Sequence, residues 1–113
     1  MSVPTWPVVK KSKLIARDGE HCPHCGTREA LTIQHRAVRG MGGRRTAERP
    51  SNAVLLCWAY NVAIEQDATL SAEALAAGWK ISTHADPSKV PYLDATTGTR
   101  WQLADDYTKA AVP

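Results

Sequence analysis

Apolar residues along the chain fall into short clusters with distinct spacings, and each spacing predicts an element. Residues 1–9 carry two prolines and little charge, which reads as an irregular arm. Lys10 to Arg17 fits a short helix, with Leu14 and Ile15 as its apolar contacts and Asp18-Gly19-Glu20 as the turn that follows. In Ala30-Leu31-Thr32-Ile33-Gln34, Leu31 and Ile33 alternate with polar neighbours, predicting a strand that ends at His35. Residues 36–50 lose the periodicity and form a basic loop, with three glycines in the four positions 40–43. After Pro50-Ser51-Asn52, the run Ala53-Val54-Leu55-Leu56-Cys57 predicts a second short strand, and Trp58 to Ala68 a helix with Val62 and Ile64 inward. Ser71 is placed to cap a further helix through Ala77, stopped by Gly78. Trp79 to Ser82 suits a strand. Val90 to Leu93 and Arg100 to Leu103 flank Thr97-Gly98 as a C-terminal hairpin, with Pro91 assigning its first strand to an edge. The expected whole is one α+β domain: an arm and short helix over 1–16, a core over 17–89, and a hairpin and tail over 90–113.

Composition narrows the function classes. At 113 residues the chain holds one modest core, and with no Phe that core must draw on its four Trp and three Tyr. Trp6, Trp79 and Trp101 are therefore read as packing residues. An apolar fraction of 43% with 22% charged residues argues against wholesale disorder. No apolar run approaches a membrane span, and the first residues lack the apolar core of a signal peptide, so a cytoplasmic location is expected and a membrane partner is not. Charge is uneven: residues 1–49 hold ten Lys or Arg against four Asp or Glu, and residues 50–113 hold four against seven. A basic half suits a polyanion, with nucleic acid the first candidate, although a solvated face has the same composition.

Three cysteines cannot close a disulfide framework within one chain. Two of them form Cys22-Pro23-His24-Cys25-Gly26, a knuckle that in a reducing compartment suits zinc better than a disulfide. Cys57 is the third thiol. The fourth position of a tetrahedron is open to His24 (whose ring would have to fold back), His21, His84 or water. The competing expectation is a zinc-free fold with packed thiols. His35 carries the second chemical signal. Phosphodiester hydrolysis needs a base, cationic donors and a metal. An imidazole at a strand end beside Arg36, Arg39, Arg44 and Arg45 supplies the first two. A lone surface histidine would mean nothing, but this one stands in a constellation.

That constellation is Cys22-x-x-Cys25, a strand ending in His35, Gly42-Gly43 and Asn52, then Cys57 leading into a helix with Asn61 and Glu65. It resembles the HNH or ββα-metal nucleases. It is especially similar to small HNH proteins of actinobacterial phages, with which it shares Gln-His-Arg, Arg-Gly-Met-Gly-Gly and a Cys-x-x-x-Asn helix start. The likeness runs from Arg17 to Lys89. It implies a ββα-metal core with a zinc-knuckle-like cysteine cluster, a flanking helix and a C-terminal hairpin. The implied function is a metal-dependent endonuclease on DNA, working in the host cytoplasm if phage-encoded and leaving 5′-phosphate and 3′-hydroxyl ends. In that reading His35 is the general base and Asn52 ties the loop to the base-bearing strand. Gln34, Asn61 and Glu65 are the ligands of Mg2+ or Mn2+, with Glu65 counted in the catalytic set. Cys22, Cys25 and Cys57 hold structural Zn2+, and Arg36, Arg39, Arg44 and Arg45 contact DNA. Three positions depart from the family. Gln34 stands where many members have Asp or His, Asn61 where many have His, and Tyr60 where a fourth cysteine is usual. Two neutral amides are poor ligands for a hard cation, which leaves Glu65 to supply charge. The alternative expectation is therefore a decayed HNH scaffold that binds nucleic acid or a host protein.

Overall fold

The chain is described by a computed structural model over residues 7–37 and 48–113. Its elements in order are α1 (Lys11–Asp18), β1 (Leu31–His35), a 3-10 turn (Pro50–Asn52), β2 (Ala53–Cys57), α2 (Trp58–Gln66), α3 (Ala68–Ala77), β3 (Tyr92–Asp94), β4 (Thr99–Leu103) and β5 (Lys109–Val112). Among the described residues these make a mixed α+β fold with three α-helices and two small antiparallel sheets. β1 pairs with β2 so that Leu31 lies opposite Cys57 and His35 opposite Ala53. β3, β4 and β5 form the second sheet in that order. No helix among the described residues is long and apolar enough to cross a membrane.

β2 is buried along its whole length, which is why it reads as an unbroken apolar run. Alternate residues leave opposite faces of a strand. Val54 and Leu56 join a core with Tyr60, Ile64, Trp79 and Tyr92, while Ala53 and Leu55 join Val9 and Leu14 of the N-terminal segment and α1. Each fully buried Leu or Val in such a setting contributes about 1.5–3 kcal/mol. The sheet bearing His35 is therefore held from both sides. Trp79 is buried in the first core and Trp101 packs against it, as expected of packing residues; Trp6 lies outside the described residues.

Local chemistry explains the helix boundaries. α2 starts directly at Cys57, whose Sγ accepts the Tyr60 N–H at 3.4 Å. α3 is capped by Asp67, not by Ser71: the Asp67 carboxylate accepts from the N–H groups of Thr69 (2.8 Å) and Leu70 (3.1 Å). An anionic cap at the positive helix end outcompetes a hydroxyl further in, so the helix begins one turn earlier than the sequence pattern suggests. Trp79 to Ser82 is not a strand. It contributes a single parallel bridge between Ile81 and Ala37. The sequence pattern does not predict β5, because Lys109-Ala110-Ala111-Val112 carries no alternation that would reveal it.

Gly78 ends α3 in the left-handed region at φ +78°, as expected of a stop residue. A Cβ there would lie 2.1 Å from the Pro91 carbonyl oxygen. Gly78→Ala should therefore cost at least about 2 kcal/mol, combining left-handed strain with a backbone clash. A urea melt showing a midpoint equal to that of the wild type would contradict this packing.

Candidate functional site

His35 ends β1 with its Nε2 3.1 Å from Glu48 Oε1. The other carboxylate oxygen of Glu48 accepts the Val9 N–H at 3.1 Å, so the acid is fixed from two directions. Sequence reasoning misses Glu48, which sits inside a charged run with no motif to mark it. Just beyond His35, the Asn52 side chain clamps the backbone: Oδ1 accepts the Ala37 N–H at 2.8 Å, and the Asn52 carbonyl accepts the Arg36 N–H at 2.7 Å. The segment that leaves β1 at Ala37 and returns at Glu48 thus has both ends anchored beside the imidazole. Gly42, Gly43, Arg39, Arg44 and Arg45 belong to that segment and lie outside the described residues.

Arg36 is a correction. It is fully buried, and its guanidinium donates to four carbonyls: Gly78 (2.8 Å), Ser51 (2.9 Å), Pro87 (2.9 Å) and Val90. Every arm of the fork is occupied within the protein, so none is available to a phosphate. Burial, reinforced by nearby Arg17, lowers its pKa to about 10, which still leaves it charged at neutral pH. Arg17 plays a matching part, donating to the carbonyls of Pro50 and Ala53 while it pairs with Asp18. Two arginines of the basic half are thus pins that hold the start of β2 and carry no exposed charge.

The expected cation ligands are less closely assembled. Gln34 donates its amide N–H to Thr32 Oγ1 at 2.9 Å. Asn61 and Glu65 follow Tyr60 and Ile64, the buried residues of α2, and so sit at the flank of its inward stripe. Asn61 is half-buried, while the Glu65 side chain is 67% exposed and its carboxylate is 3.9 Å from Lys80 Nζ. The carboxylate on His35 is Glu48 rather than Glu65.

Cys22 and Cys25 converge with His24, and Cys57 lies beside Cys25. The ligand atoms of Cys22, His24 and Cys25 lie within 4.8 Å of one another, a group able to hold a metal ion. Cys57 Sγ is 3.8 Å from Cys25 Sγ, and all three thiols are free. The knuckle is shaped by backbone hydrogen bonds, Gly26 N–H to Cys22 O and Cys22 N–H to Thr27 O, each at 2.8 Å. A backbone N–H of Thr27 holds the Cys25 thiol below its ordinary range, whereas burial pushes Cys57 up to about 11, with Cys22 beside it adding to the rise. A cation among the three sulfurs would reverse that mutual repulsion. His21 is engaged elsewhere: its Nε2 is 2.8 Å from Asp94 Oδ2. Burial would raise the Asp94 carboxyl, but hydrogen bonds from Thr96 and His21 outweigh it and hold it below the usual range. His84 stands on a turn, with its backbone N–H bonded to Ser82 Oγ. Tyr60 donates its hydroxyl to Glu73 at 2.7 Å, and burial and that carboxylate push its pKa up, so it is a neutral donor and not a phenolate ligand.

Comparison with protein-family models, with curated proteins and with solved structures found no match to this chain.

Proposed function

We propose that this chain is an HNH-type endonuclease acting on DNA, with His35 as general base and a structural zinc at Cys22, Cys25 and Cys57. The observation that carries the reading is the junction at the end of β1. There an imidazole is fixed by Glu48, and Asn52 locks the backbone from which an arginine-rich segment departs. With Nε2–H donated to Glu48, Nδ1 is the acceptor of the neutral ring. It takes a proton from water as the water oxygen attacks phosphorus, and Glu48 stabilises the imidazolium that results. Arg39, Arg44 and Arg45 supply cationic donors to the phosphates from a segment tethered at both ends to this point.

The resemblance implies Mg2+ or Mn2+ to offset charge on the leaving oxygen, with Gln34, Asn61 and Glu65 as the side chains that would hold it. As these side chains stand they do not fit a tight magnesium site. Two are neutral amides, one of them bonded to Thr32, and the carboxylate faces solvent near Lys80. That observation favours a second reading, a decayed HNH scaffold that binds nucleic acid or a host protein without cutting.

Supercoiled plasmid incubated with magnesium, manganese or EDTA separates the two. The nuclease reading expects nicking that needs a divalent cation and rises in Gln34→Asp, which restores a hard anionic ligand. If wild type and Gln34→Asp both bind the plasmid and neither cuts it with any cation, the binder reading replaces it.

A further inference from the structure

The ring of His24 is held in a way that three cysteines alone do not explain. Its Nδ1 is buried and has no hydrogen-bond partner. A buried polar atom without a partner costs about 1–3 kcal/mol, a cost that a metal ion bound at that nitrogen would remove. The opposite ring nitrogen, Nε2, is 3.3 Å from Glu73 Oε1. The ring stacks on Tyr60, with centroids 3.6 Å apart and planes 13° from parallel. Trp79 meets both rings edge-on at 5.6 Å. The same Glu73 oxygen accepts the Tyr60 hydroxyl at 2.7 Å, so one carboxylate lies against both stacked rings.

We infer that His24 Nδ1 is the fourth ligand of a zinc site whose other three ligands are Cys22, Cys25 and Cys57, and that Glu73 and Tyr60 are its positioning residues. The inference rests on the zinc reading of the cysteine cluster and names what that reading leaves open. Zinc–sulfur bonds of about 2.3 Å in a tetrahedron put the sulfurs about 3.8 Å apart. The Cys25 and Cys57 sulfurs stand at 3.8 Å. The unpartnered Nδ1 belongs to the side chain that groups with Cys22 and Cys25, within 4.8 Å. A carboxylate 3.3 Å from Nε2 favours the proton on that nitrogen, which leaves the Nδ1 lone pair for a metal, as an outer carboxylate does for a ligating histidine. The departure at position 60 then acquires a reason. Where a fourth thiolate is expected, Tyr60 supplies a flat surface that turns the His24 ring inward, and the ligand comes from inside the knuckle.

The test is cobalt substitution of the full chain, read by ligand-field absorption and by competition with a chelator. Wild type should bind one Co2+ per chain, with the bands of a tetrahedral site of three sulfurs and one nitrogen. His24→Cys should still bind, with bands moved to longer wavelength as nitrogen is replaced by sulfur. Glu73→Gln, at a half-exposed position, should keep the wild-type bands but bind about 10- to 100-fold more weakly. Spectra unchanged between wild type and His24→Cys would overturn the assignment of His24 while leaving zinc at the three cysteines intact. Wild-type affinity in Glu73→Gln would overturn its positioning role. A wild-type chain that binds neither cobalt nor zinc would overturn the whole site.

Discussion

Arg36→Ala is expected to unfold the protein or leave it barely folded. The guanidinium is completely buried and donates to carbonyls from separate stretches of the chain: Ser51 before β2, Gly78 after α3, and Pro87 and Val90 in the connection to β3. Hydrogen bonds from a charged donor contribute about 1.5–3 kcal/mol each, and each carbonyl left buried without a partner costs about 1–3 kcal/mol. Four such losses are comparable with the whole stability of a domain, about 5–15 kcal/mol. Arg36→Lys keeps the charge but offers one nitrogen in place of a three-nitrogen fork, so it should rescue only part of the loss. Circular dichroism and a thermal melt read this outcome. A well-folded Arg36→Ala with a wild-type melting temperature would mean that the arginine is not the pin described here. It would return Arg36 to the set of phosphate contacts.

The contrast between Arg36 and its neighbours shows what the sequence discloses and what it conceals. β1 and the helix after Cys57 are legible from their spacing and β2 from its unbroken apolar run, and β2 matches its expected bounds residue for residue. The C-terminal hairpin is legible from its turn. There Asp94 Oδ1 accepts from the N–H and hydroxyl of Thr96, at 3.0 and 2.5 Å, and Gly98 takes a positive φ. Burial of Arg36 is not legible. It depends on carbonyls 15 to 54 residues away that only the fold brings together. The partnership of His35 with Glu48 is hidden for the same reason. In the cysteine cluster the sequence supplies the three thiols and leaves His24 as one of several histidines. Tyr60 and Glu73, from two consecutive helices, are what single out its ring.

Loss of the His35 imidazole is the second change with a large expected effect. The His35 side chain is about a quarter exposed at the end of a strand and meets Glu48, so His35→Ala should leave the melting temperature close to that of the wild type. Under the proposed nuclease function, removal of its general base should lower the cleavage rate about 100- to 10,000-fold. Glu48→Gln should give a smaller loss, because an amide still orients the ring but no longer stabilises its charged form. That loss should fall on kcat and leave KM near the wild-type value, since the carboxylate acts through the imidazole and not on bound DNA. A Glu48→Gln variant that instead raised KM at constant kcat would place Glu48 in DNA binding and remove it from the support of the base.

Phosphodiester hydrolysis at this junction is decided by the initial rate of supercoiled-plasmid nicking. Wild type and His35→Ala are compared with manganese present, both preparations having first been matched in melting temperature and in DNA binding. Cation-dependent nicking is expected of the wild type, with a rate at least about 100-fold lower for His35→Ala. Equal rates in the two proteins, or no nicking by the wild type with any divalent cation, would contradict the assignment of His35 as the base of a nuclease.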